Sequence, residues 1–76
     1  SLYPNPATDG VTIWVEAPTS TTATLQLFDV TGKLVFQNKI NTNTTQYIAV
    51  DQLPKGVYYA QILTTDKQYR QELVVW

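Results

Sequence analysis

The chain has 76 residues, a formal net charge of −1 and neither cysteine nor histidine. That length makes one small domain, and the missing residue types exclude a disulfide framework, a thiolate zinc site and the commonest general base. The five basic and six acidic residues are scattered singly, which excludes the clustered basic face that nucleic acid requires. No apolar run approaches the roughly 18 residues of a membrane span, and the start lacks the basic and apolar regions of a signal peptide.

The first ten residues, SLYPNPATDG, hold Pro4, Asn5, Pro6, Asp9 and Gly10. Two prolines fix φ and remove two amide donors, so this stretch reads as a stiff lead-in and not as a central strand. Val11–Ala17 alternates, with Val11, Ile13 and Val15 on one face and Thr12, Trp14 and Glu16 on the other. Pro18–Thr22 is a turn. Ala23–Val30 is the next strand; Leu25 and Leu27 share a face, while Phe28 and Val30 lie opposite, which calls for cover on both sides or a bend. Asp29-Val30-Thr31-Gly32 is the sharpest turn signal: Asp can bond the amide two residues on, and Gly accepts positive φ. A type I turn with a glycine bulge would pair TLQLFD with KLVFQNKI.

Asn41–Thr45 reads as a polar loop, and Asn43-Thr44-Thr45 fits a glycosylation sequon too common to carry weight. Gln46–Val50 is a short strand with Ile48 and Val50 inward. Asp51–Gly56 is a corner plugged by Leu53. Gly56–Thr64 is a strong strand, with Tyr58, Ala60 and Ile62 assigned to the core and Val57, Tyr59, Gln61 and Leu63 to the wetter face. After a turn at Thr65–Lys67, Gln68–Trp76 forms the last strand, expected to be packed to its end. Threonine, tyrosine and β-branched residues dominate, and no helical period is present, so the chain is expected to be an all-β sandwich of about seven short, mainly antiparallel strands.

Chemistry is sparse. Asp29, Asp51 and Asp66 all fall in turns, where a carboxylate serves as a main-chain partner, and no two acids are placed as general acid and base. No phosphate loop and no calcium loop is present. The aromatics Trp14, Trp76, Tyr58 and Tyr59 could build a sugar platform, but the plainer reading puts one of each adjacent pair in the core. The chain is therefore expected to be no enzyme, to need no cofactor and to take no small-molecule substrate.

Three stretches then fall in order: Tyr3-Pro4-Asn5-Pro6, Leu27-Phe28-Asp29-Val30-Thr31-Gly32-Lys33, and Leu53-Pro54-Lys55-Gly56-Val57-Tyr58-Tyr59 ahead of a last apolar strand. Together they resemble the C-terminal sorting domain of proteins exported by the type IX (Por) secretion system of Bacteroidetes-type bacteria, over nearly the whole chain. Members often carry a basic residue near the end, whereas here Arg70 is the last positive charge. The resemblance implies an Ig-like sandwich over residues 1–76, excised from the end of a larger secreted cargo. It implies passage through the periplasm to an outer-membrane translocon, and cleavage at the cell surface by a sortase-like peptidase. Recognition candidates are Pro4, Asn5, Pro6, Asp29 and Gly32, with Lys55, Gly56, Tyr58 and Arg70 farther along. The rival reading is an Ig-like carbohydrate-binding or adhesive module of a secreted enzyme, which an exposed aromatic pair beside polar loops would favour.

Overall fold

The computed structural model describes residues 9–76, together with the backbone of residues 2 and 3; Pro4, Asn5 and Pro6 lie outside the described residues. The described residues form seven strands: β1 (Leu2–Tyr3), β2 (Gly10–Ile13), β3 (Thr22–Phe28), β4 (Leu34–Asn41), β5 (Gln46–Ala49), β6 (Gly56–Leu63) and β7 (Gln68–Val75). They form two antiparallel sheets, β1-β2-β5 and β4-β3-β6-β7. The third strand lies beside the sixth and the second beside the fifth, so the chain crosses between sheets as an Ig-like sandwich does.

The alternation read in the sequence decides which atoms are buried. Val11, Ile13 and Val15 meet Leu25, Leu27 and Leu73 between the sheets, all fully or nearly fully buried. Tyr58, Ala60 and Ile62 fill the centre from β6, and Leu53 plugs the corner from below. Burial at roughly 25 cal/mol per Å² of apolar surface is the main force available to a chain this size.

Two strand assignments are corrected. The ladder of β2 ends at Ile13, not Ala17, because its partner β5 begins only at Gln46. Inward and outward residues nevertheless keep alternating through Glu16, since Asn43 stands in for a strand. Its amide donates to the Val15 carbonyl at 2.7 Å. Its side chain accepts from Ala17 N at 2.8 Å and donates to Ala17 O at 2.9 Å. Asn43 sits at φ +58°, a conformation asparagine tolerates better than most residues. The sequon residue is thus a structural clasp. Asn43→Ala should cost about 1–3 kcal/mol, since it removes both side-chain bonds in a partly buried place; a chemical melt of the purified variant reads it directly.

The second correction concerns β3. It stops at Phe28, the register slips between Leu27 and Phe28, and Val30 stands exposed in the turn. The strand bends out of the ladder after Phe28, and Val30 is left exposed among the described residues. The turn itself is as expected. Gly32 N donates to Asp29 O at 3.0 Å and Asp29 N to Lys33 O at 2.9 Å. Gly32 adopts φ +87°, and an added Cβ would meet nothing within 4 Å. Gly32→Val should therefore cost only backbone strain, about 1–2 kcal/mol, and a thermal melt unchanged by it would contradict the turn geometry.

Candidate recognition surface

The outer face of β4-β3-β6-β7 is built by register. Gln37 lies opposite Gln26, Gln26 opposite Gln61, and Gln61 opposite Arg70. Period-two alternation turns all four side chains to the same side of the sheet. They bond in sequence across the four strands: Gln26 Nε2 donates to Gln37 Oε1 at 2.8 Å, Gln61 Nε2 to Gln26 Oε1 at 2.9 Å, and Arg70 Nε to Gln61 Oε1 at 3.1 Å. Gln68 Nε2 donates to the same Gln61 Oε1 at 2.8 Å. Arg70 is thereby tied through Nε to the outer face of the sheet.

One row along, Phe28 lies opposite Tyr59 and Tyr59 opposite Glu72. Tyr59 is 49% exposed. Between this row and the β3–β4 turn lies an open cleft of about 470 Å³, lined by Phe28, Asp29, Gly32, Tyr59, Arg70 and Glu72 among others. Asp29 is fixed there by its own turn: Oδ1 accepts from Thr31 Oγ1 at 2.6 Å, Thr31 N at 2.9 Å and Lys33 N at 3.0 Å. The Thr31 hydroxyl above all, then the Lys33 amide, holds the carboxyl below its ordinary value, because donors favour the charged form. The cleft thus presents an anionic turn, an aromatic ring and a guanidinium, carried on strands and a hydrogen-bonded turn.

Sequence reasoning placed Asp29, Gly32 and Arg70 among the candidates, and the fold brings these three to one cleft. Lys55 and Gly56 line a separate apolar depression with Val57, Val74 and Trp76. Tyr58 is buried in the core, where its hydroxyl donates to the Pro54 carbonyl; it shapes the Lys55-Gly56 corner from inside and presents no surface. Of the turn aspartates, Asp29 is the one whose side chain bonds to the main chain among the described residues. At the β6–β7 turn that role belongs to Thr64, whose hydroxyl accepts from Lys67 N at 3.0 Å; Asp66 accepts from that hydroxyl. The last strand packs through Val75, but Trp76 beyond it is 69% exposed.

The aromatics do not form one platform. Tyr59 lines the outer-face cleft and Trp14 lines a different one, between Glu16 and Tyr69. Among the described residues no group of acidic side chains could hold a metal ion. What the sequence reading missed is the glutamine row with Glu72. Its trace is a single polar residue inside each apolar strand, Gln26 in TLQLF and Gln61 in YAQIL.

Comparison with known proteins adds the family. The family model described as a secretion system C-terminal sorting domain matches residues 1–76. Two curated relatives are an endo-acting ulvan lyase of Formosa agariphila, 35% identical, and the ulvan lyase NLR42 of Nonlabens ulvanivorans, 31% identical. Each alignment takes in 97% of this chain but only 14% of the relative. A fold with an ordered polar face, a core spent on stability, and a match along its whole length lead to one conclusion: this chain belongs to the family of type IX (Por) secretion system C-terminal sorting domains, signals of secreted and cell-surface proteins.

Proposed function

We propose that residues 1–76 are the tail of a longer secreted enzyme of the ulvan-lyase kind. In this reading an outer-membrane translocon recognises the folded domain, and a sortase-like peptidase separates it from the cargo at the cell surface. The domain itself does no catalysis. The surface that is read is the outer face of the four-stranded sheet, at the Asp29–Gly32 turn, Tyr59 and Arg70. One observation carries this: candidate residues some 40 positions apart converge on a single cleft. Rigid presentation lowers the ordering cost of recognition, and exposed Tyr and Arg are the side chains that anchor interfaces.

The test compares reporter surface display with folding. Arg70→Ala combined with Tyr59→Ala should cut display roughly tenfold, the effect of losing a hot spot worth about 1–2 kcal/mol. Circular dichroism should stay unchanged. Lys39→Ala, on the same sheet but away from the cleft, should leave display intact. Full display by the double variant would remove this face from recognition.

A further inference from the structure

We propose that the polypeptide immediately upstream of this chain continues β1 alongside Trp14–Glu16, closing the cleft between Trp14 and Tyr69, so that the cargo junction is a paired strand and not an open linker. This rests on the reading that a cargo precedes the domain. Leu2 pairs antiparallel with Ile13 and Tyr3 with Thr12, so the register aims whatever precedes β1 along residues 14–16. The segment 14–17 has left the β2–β5 ladder, and its side chains keep alternating between outward and inward through Glu16. Val15 O and Ala17 N and O all point to the Asn43 side, where their partners are. By strand alternation the main-chain N–H and C=O of Glu16 point the other way, toward the β1 side. Glu16 has no hydrogen-bond partner there among the described residues. Counting back along the register, the residue facing Glu16 is the second one upstream of this chain.

The side chains fit the same occupant. Trp14 is 39% and Tyr69 40% exposed. They flank a cleft of about 290 Å³ whose floor is Ala60 and Ile62 from the inner face of β6. A strand laid beside Trp14–Glu16 covers that apolar floor and pairs with the main chain of Glu16, as in strand addition generally. Its main-chain bonds make the pairing tolerant of the upstream sequence. A peptidase that takes its substrate extended would then have to peel this strand away before cutting at the junction, which would make cleavage depend on local opening of β1.

The experiment uses the protein's own chain, starting about ten native residues upstream, a length that suffices for a strand. Amide exchange is compared with that of residues 1–76 alone. The Glu16 amide and that of the second upstream residue should each slow about tenfold or more. Proline at that upstream position should return Glu16 to its rate in the short chain without touching the fold of the 76 residues. Upstream amides exchanging as in an unstructured peptide would overturn the proposal, as would Glu16 protection that survives the proline. Because the measurement involves no secretion machinery, its failure is distinct from failure of the sorting reading, which shows only in surface display.

Discussion

Replacing Tyr58 with alanine should cost about 3–5 kcal/mol, the range for truncating a large aromatic in a core. The side chain is nearly fully buried, and it faces Leu73 across the β6–β7 ladder. At about 0.05–0.15 kcal/mol per residue, a domain of this length has only roughly 4–11 kcal/mol to lose. Tyr58→Ala should therefore remove between roughly a quarter and all of the domain's stability. The hydroxyl can be separated from the ring. Tyr58→Phe keeps the packing and loses only the bond to Pro54 O, so it should cost about 1 kcal/mol. Urea melts of both variants test the division; equal losses would mean that the hydrogen bond, not the ring, holds the corner.

Gly10 should be the second intolerant position, for a different reason. It opens β2 opposite Ala49 and is buried. A Cβ built there would lie 2.6 Å from the Ile48 carbonyl oxygen and against the ring of Tyr47. The exposed tyrosine could swing aside, but the carbonyl belongs to the partner strand and cannot. Gly10→Ala should therefore cost about 1–3 kcal/mol through forced backbone movement, and Gly10→Val more. Tyr47→Ala combined with Gly10→Ala should recover little, because the backbone clash remains. Full recovery in that double variant would place the clash in the ring alone.

These two residues also mark what a sequence can disclose. Tyr58 was legible because YYAQIL alternates and Gln61 labels the wet face. The Asp29–Gly32 hairpin was legible because its chemistry is local. Gly10 read only as a breaker, since its constraint comes from Tyr47 and Ile48, nearly forty residues away. Asn43 was hidden for the same reason: a loop amide completes a strand whose alternation over Val11–Ala17 gives no sign of needing a partner. The glutamine row needed the register of four strands at once, and single polar residues in apolar strands say nothing of who their neighbours are. Arg70 was named as a candidate because the resemblance drew notice to the final positive charge. Its place against Gln61 and beside Tyr59 follows from pairing that only the fold reveals.

The central claim is that these 76 residues are a sufficient sorting signal. Its most direct test fuses them to the C-terminus of an inert periplasmic reporter, in a host with a working type IX system and in the same host lacking its translocon. The account predicts reporter on the surface of the first host and reporter retained in the periplasm of the second, with the core variant Leu27→Ala retained in both. A folded fusion that stays periplasmic in the competent host would contradict it.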